Sequence, residues 1–341
     1  MPPSKRVTLA DVAARAGLST AAASMILNGR PDTRLSQEAH ERVLSAASEL
    51  GYRPNIAARA LRTDTTMTLG FVSDVVATTR FASGLIKGAL DAARHAGYVV
   101  LVIETGGEPE REAEALAALL DRQVDGIIFA TMRARTMFIP DVPEQTRVVM
   151  LNASNPRHHA SVLPDEMTGG RAAVRLLIEA GHHDGIALIG QSDGAEQGTF
   201  GSTTVARRVI GIRSEMAAAN LSFVAEKPIW LWEPEEGYEA TRALLGEHDG
   251  IRALLCMNDR LAFGAYQALA ELGLRVPQDI SIVSFDNDEL AAYLRPGLTT
   301  VALPHEQMGQ IAVTMLLSGN AHGETLVHMP VVTRDSIAPP T

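Results

Sequence analysis

Over the first fifty residues apolar positions recur every three or four places, and Gly, Ser or Thr interrupts the pattern. Thr8 followed by Asp11 has the form of a capping box, opening a helix with Leu9, Val12, Ala13 and Ala16 on its apolar side and Gly17 at its end. Ser19 caps a second helix, Thr20 to Asn28, which Gly29 stops. Ala23, Ile26 and Leu27 turn inward there, leaving Thr20, Ala21, Ser24 and Met25 outside. Ser36 caps a third helix through Leu50, and Val43, Leu44, Ala47 and Leu50 complete a small core. From Leu69 the texture changes. Near-continuous apolar runs at 69–75, 98–104, 125–131, 147–153, 185–191, 227–232, 253–258 and 279–285 read as strands. Helical stretches fall between or after them, at about 82–96, 109–122, 168–181, 204–219, 235–246, 259–273 and 305–318. Such alternation predicts an α/β body of doubly wound parallel sheets in two halves, behind an all-α head. Ligands bind these sheets where strand C-termini open onto a crevice.

Composition narrows the class. A chain of 341 residues, 46% hydrophobic and 21% charged, is an ordinary globular protein of two or three domains. No run approaches the ~18 apolar residues of a membrane span, and no apolar segment follows the charged N-terminus as a secretory signal requires. The single Cys256 excludes an intramolecular disulfide and fits a reducing cytoplasm. The net charge of −10 is uneven: residues 1–62 hold nine Lys/Arg against five Asp/Glu, a surplus of +4 on an otherwise acidic chain. A basic head on an acidic body draws phosphates to one end. Two helices joined by a tight turn and braced by a third is the layout that places a helix in the major groove; a structural or protein-binding bundle is the alternative on pattern alone.

Catalytic motifs are weak. Gly190-Gln191-Ser192-Asp193-Gly194 fits a nucleophile elbow, but that elbow needs a helix starting at the serine, and a polar Gly-rich loop follows. The pairs His158-His159 and His182-His183 lack partners at metal-ligand spacing. There is no phosphate-cradling glycine loop with a lysine, and Cys256 falls inside an apolar strand. The expectation is a protein that is not an enzyme and holds no cofactor or metal.

The strings VTLADVAARAGLS, Ser24, Leu27-Asn28 and ELGYRPNIAARALR resemble, in register, the head of LacI-type (LacI/GalR family) bacterial transcription regulators. The resemblance continues through LDRQVDGIIFA, LLIEAGHHDGIALIG, MNDRLAFGAYQALAELGLRVPQDISIVSFDN and LTTV, which are similar to the body that these regulators share with periplasmic sugar-binding proteins. It implies a helix-turn-helix domain at 1–52 and a hinge helix and linker at 53–65. It further implies an effector-binding and dimerisation domain at 66–341, with one subdomain at 66–162 and 291–322 and the other at 163–290 and 323–341. Paired hinges would enter the minor groove, with Leu61 wedged between base pairs and Asn55 and Ala58 on the groove floor. Thr8, Ser19, Thr20, Ala21, Ser24, Met25 and Asn28 complete the implied DNA-binding set. The implied partners are pseudo-palindromic operator DNA, a second copy of the chain and a small effector, a carbohydrate in the cleft between the subdomains. The implied location is the cytoplasm, on the nucleoid when DNA is bound.

Matching positions nominate six effector-binding residues. Asp286 would grip sugar hydroxyls, Arg208 is the effector-binding arginine of Arg-x-x-Gly, and Trp232 offers an apolar face to a ring. Asn258, Phe81 and Asn152 complete the set. A carboxylate, a guanidinium, amides and an aromatic face suit a polyhydroxylated ring. The head departs from its relatives in one respect. Many of them carry an arginine in the second helix where Met25 stands, so its base-reading surface is short and mostly apolar, suited to thymine methyls. The C-terminal TRDSIAPPT lacks the leucine heptads by which some relatives join dimers into tetramers, so a dimer is expected.

Overall fold

The computed structural model describes residues 7–27, 35–53, 65–80, 82–157, 160–191, 202–319 and 322–340. They form two compact units, Met1–Thr66 and Met67–Thr341. Among the described residues no helix is long and apolar enough to cross a membrane.

The first unit contains α1 (Leu9–Ala16), α2 (Thr20–Leu27) and α3 (Gln37–Glu49). Thr8 closes the capping box with Asp11: the Asp11 amide donates to Thr8 Oγ1 at 3.3 Å and the Thr8 amide to Asp11 Oδ2 at 2.8 Å. Ser19 Oγ accepts from the Ala22 amide and Ser36 Oγ from that of Ala39, each at 3.2 Å. Gly17 ends α1 at φ 66°, left-handed backbone that a Cβ would disfavour. Val12, Ala13, Ala16, Ala23, Ile26, Ala39, Val43, Ala46 and Ala47 make the core. Leu44 is not part of it, being 55% exposed. The inward stripe of α3 runs through 39, 43, 46 and 47, and residue 44 lies a helical step off it.

Among the described residues the second unit holds two six-stranded sheets. The first has the order β11-β5-β4-β3-β1-β2 and the second β12-β10-β9-β8-β6-β7. Their strands are β1 (Thr68–Ser73), β2 (Val99–Glu104), β3 (Gly126–Thr136), β4 (Val148–Ser154), β5 (Ala160–Pro164), β6 (Ile186–Ile189), β7 (Ala225–Lys227), β8 (Ala253–Cys256), β9 (Ser281–Asp286), β10 (Thr299–Ala302), β11 (Glu324–Val327) and β12 (Val331–Val332). Apart from the antiparallel pair of β10 and β12, the neighbours run parallel. The helices are α4 (Ser83–His95), α5 (Pro109–Asp121), α6 (Glu166–Glu179), α7 (Thr203–Ala218), α8 (Pro234–Glu247), α9 (Asp259–Glu271), the short α10 (Glu289–Tyr293) and α11 (His305–Ser318). Parallel strands require crossover helices, which cover both faces and bury them, so β1, β4, β6 and β8 are apolar almost throughout.

Among the described residues the chain passes between the sheets three times, and two passages differ from expectation. The first follows β5 at 164–165, close to the expected 163. The second was expected near 290, yet β10 still pairs with β9 in the second sheet, Thr300 beside Ser284, and α11 then packs on the first. The crossing therefore falls at 303–304. The third was expected near 323, but β11 lies beside β5, Leu326 against Leu163, and β12 belongs to the second sheet. It falls at 328–330. Strand pairing decides these boundaries, and β10 to β12 are too short to announce their sheet by composition.

Candidate functional site

Strands β1, β3, β4 and β5 of the first sheet and β8, β9 and β10 of the second direct their C-terminal ends toward one cleft of about 940 Å³. Thr78 and Thr79 follow β1, Met132 lies in the last part of β3, and Pro164 ends β5. From the other sheet, Asn258 follows β8, Asp286 ends β9 and Leu303 follows β10. This is where parallel sheets present backbone ends and side chains to a ligand.

The floor is ionic. Arg208 on α7 is 2% exposed; its Nε donates to Glu166 Oε2 at 2.6 Å and its Nη2 to Glu166 Oε1 at 2.8 Å, a bidentate clamp. Its Nη1 donates to the Met257 carbonyl at 2.6 Å, and the guanidinium lies over the Phe285 ring, 4.3 Å from its centre. Glycines allow this approach: a Cβ on Gly170 of α6 would meet the Arg208 carbonyl at 2.3 Å, and one on Gly211 of α7 the Met167 carbonyl at 2.1 Å. Helices α6 and α7 therefore cross backbone to backbone, bringing Glu166 at the start of one beside Arg208 of the other.

Asp286 lies next to this pair. Its side chain is 7% exposed and Oδ1 is 3.9 Å from Arg208 Nη2, too long for a hydrogen bond. Among the described residues nothing donates to the carboxylate. Burial pushes its carboxyl well above the usual range, and the nearby Arg208 offsets only part of this. The backbone at Asp286 has φ 105° and at Asn287 φ 55°, left-handed values that non-glycine residues avoid. Strain of this kind persists where the surroundings enforce it. Here the Asp286 carbonyl accepts from the Leu303 amide, and Asn287 is held by Arg334 and Thr300.

The other candidates surround this floor. Asn258 lines the cleft, but its amide serves the chain: Oδ1 caps α9 through the Leu261 amide at 2.8 Å, and Nδ2 donates to the Trp232 carbonyl at 3.3 Å. Asn152 also lines it, at φ 52°, with Nδ2 donating to the Thr131 and Met132 carbonyls at 3.0 Å each. Those bonds hold the irregular stretch of β3 where its register with β4 shifts. Trp232 donates its indole N–H to the Gly190 carbonyl at 2.7 Å, which leaves the ring for the cleft. Phe81 lies outside the described residues.

Three contributors were not singled out from the chain. Glu166 lies just ahead of the helical stretch expected at 168–181, and in the structure it opens that helix. Trp230, 52% exposed on the cleft wall, was placed in a strand that in fact ends at Lys227. Asp259 adjoins the nominated Asn258 in the chain. It is buried behind the floor, accepting from Ser284 and Thr300 through Oδ1 and from the Asp288 amide through Oδ2. Burial raises its carboxyl to about 6, its three donors pulling the other way.

In the first unit Thr8, Ser19, Thr20 and Ala21 are exposed and Ser24 and Met25 half-buried on α2. Asn28, Asn55, Ala58, Leu61 and the implied hinge lie outside the described residues, as does Ser192. No cluster of metal-ligating side chains is present among the described residues. His182 is buried, its Nε2 within 3.0 Å of Ser281 Oγ and 2.9 Å of the Ala338 carbonyl.

Comparison with known proteins decides the family. Residues 8–55 match the model of bacterial regulatory proteins, lacI family, and residues 174–337 that of the periplasmic binding protein-like domain. The chain is 31% identical to the HTH-type transcriptional repressor PurR of Serratia proteamaculans, over 97% of each protein. It is also 31% identical to the ribose operon repressor of Haemophilus influenzae, over 97% of this chain and 98% of that one. The chain belongs to the LacI family. It is a transcriptional repressor with a helix-turn-helix head and an effector-binding body, in a family of regulators rather than enzymes. A solved LacI-family structure, the lac repressor dimer bound to operator and the anti-inducer ONPF, superimposes with a TM-score of 0.75 at 27% identity, covering 98% of this chain and 100% of that one. A LacI-family regulator from Enterococcus faecium with bound ribose gives 0.62 at 26% identity, covering 80% and 100%.

Proposed function

We propose that the cleft of this repressor binds a small polyhydroxylated effector, a sugar or sugar derivative, and that Asp286 is its principal anchor. The observation that carries this reading is the Asp286 carboxylate itself. A buried acceptor with no donor costs about 1–3 kcal/mol, more when charged. Hydroxyl groups of a ligand supply the missing donors. Arg208 is preset beside it: among the described residues three of its five N–H groups are engaged, which leaves two for a ligand oxygen. Trp232 and Trp230 add apolar faces for the ring. The ribose named for one relative and bound in one solved neighbour supports the class.

Occupancy biases the two halves of the body toward one arrangement, and a coupling of about 1–3 kcal/mol changes operator affinity roughly 5–150-fold. The reading includes a homodimer, as in the lac repressor structure bound to operator, with a DNA-binding domain at 1–52, a hinge at 53–65, and action in the cytoplasm on nucleoid DNA. Thr20, Ala21 and Met25 of α2 face the bases, and Leu61 is the hinge wedge.

Thermal-shift titration of the full-length protein with neutral pentoses and hexoses, D-ribose first, tests the anchor. A binding sugar at about 100 times its Kd raises stability by about 2.7 kcal/mol, and Asp286→Asn abolishes that gain. A sugar that stabilises the Asp286→Asn protein equally, or that binds without altering operator affinity in a gel-shift titration, defeats the reading.

A further inference from the structure

Taking the cleft as the effector site just proposed, the floor also says what charge the effector carries. Arg208 alone would make it an anion receptor, because a buried guanidinium with open N–H groups suits carboxylates and phosphates. It is not alone. Glu166, itself 3% exposed, takes the guanidinium in a bidentate clamp, and Asp286 lies 3.9 Å from Nη2. The one buried cation is thus already neutralised by Glu166, with a second buried acid group, Asp286, beside it. Around the rim, among the described residues, Arg260 pairs with Glu233 and Glu306 with Lys87, and Arg80 and Arg133 are equalled in number by Asp288 and Glu289. With the rim balanced and Arg208 compensated by Glu166, the floor offers an anion no net positive charge.

Helix packing fixes the arrangement. The glycine crossing of α6 and α7 sets Glu166 against Arg208, while the Met257 carbonyl and the Phe285 ring hold the guanidinium from its other sides. Swinging Arg208 toward an anion would break two charge-assisted bonds and strand Glu166, a buried charge. We propose that Glu166 sets the charge class of the effector: by compensating Arg208 it turns the floor against anionic ligands and toward uncharged ones that bring hydroxyl donors to Asp286. Glu166 is a specificity determinant acting through Arg208.

Trp230 and Trp232 are the two tryptophans of the chain and both line the cleft, so intrinsic fluorescence reports binding directly. The full-length protein is titrated with matched neutral and anionic probes, ribose with ribose phosphate and glucose with glucuronate. The wild type prefers the neutral member by at least ~10-fold, the effect of one uncompensated charge in a poorly solvated site. Glu166→Gln shrinks or reverses that ratio, and Glu166→Asp, which keeps the charge, preserves it. Equal or tighter binding of the anionic member by the wild type, or an unchanged ratio in Glu166→Gln, overturns the inference and leaves the sugar-binding reading intact. If no probe of either kind binds the wild type, the sugar-binding reading fails and inorganic phosphate decides the charge argument. Phosphate then raises the melting temperature of Glu166→Gln and not of the wild type; its failure to do so overturns the argument.

Discussion

The two halves of the body share an architecture, six largely parallel strands apiece, yet they furnish the cleft with opposite chemistry. The first-sheet wall is held by side chains that cap backbone. Asp74 Oδ1 accepts from the Val75 and Met132 amides at 2.6 and 2.9 Å. Glu104 accepts from the Ala77 and Thr78 amides at 2.6 and 3.0 Å, and Asn152 satisfies two carbonyls of β3. The second-sheet wall carries Arg208 and Asp286, with Glu166 and Asp259, all deeply buried as side chains. One half shapes the cleft through its backbone and the other provides its buried charge. Substitutions on the two walls therefore differ in kind: the first should lose shape, and the second should lose stability and charge preference together.

The largest expected effect breaks the ionic floor. Glu166→Ala leaves Arg208 buried without its partner, and removing one member of a buried pair costs about 3–5 kcal/mol. A fall of that size in the stability of the body transition, measured by urea unfolding, is expected. A loss below about 1 kcal/mol, the worth of an exposed ion pair, would mean that water reaches the clamp.

Next comes a pH dependence confined to the second-sheet wall. The Asp259 carboxyl is raised to about 6 in the folded protein, chiefly by burial, so the native state holds its proton more tightly than the unfolded chain does. Its favourable contribution is complete below the ordinary carboxylate pKa of about 4 and is lost as pH rises through about 6. The loss is at most about 3 kcal/mol. The comparison to make is the difference in urea midpoint between the wild type and Asp259→Asn at pH 4, 5, 6 and 7 (roughly the window spanned by the two pKa values). That difference should shift in favour of the variant as pH rises; a constant difference would show that Asp259 titrates alike in both states.

The legibility of the molecule follows the same division. Capping residues Thr8, Ser19 and Ser36 could be read directly, because a cap is a local event between residues three apart. The long helices of the body and its buried central strands were equally plain, since their periodicity is internal to each segment. So was the convergence of Arg208, Asp286, Asn258, Trp232 and Asn152 on one cleft, but only through family resemblance. The clamp was not legible. Glu166 meets Arg208 because Gly170 and Gly211 let two helices touch, and that contact has no signature at either carboxylate or guanidinium. The later crossings were misplaced for a related reason, as β11 and β12 are edge strands of four and two residues whose sheet is chosen by their partners.

The smallest effect tests the other wall. Asn152 was nominated as an effector ligand, yet its Nδ2 is spent on the Thr131 and Met132 carbonyls, and its left-handed backbone is one that asparagine tolerates better than most residues. Asn152→Ala removes both bonds, strands two carbonyls at the register shift of β3 and places a Cβ-bearing residue without a compensating side chain at φ 52°. The expected cost is about 1–3 kcal/mol in urea unfolding, below that of Glu166→Ala. If Asn152 mainly holds the frame, the variant weakens neutral and anionic probes by the same factor and leaves their ratio alone. If Asn152 Oδ1, to which no described residue donates, is itself a ligand contact, the neutral probe loses its hydroxyl acceptor and the ratio falls even though the ionic floor is intact. A changed ratio would thus move part of the recognition chemistry to the first-sheet wall and erase the division between frame and charge; an unchanged ratio accompanied by a loss of stability would assign Asn152 to the frame.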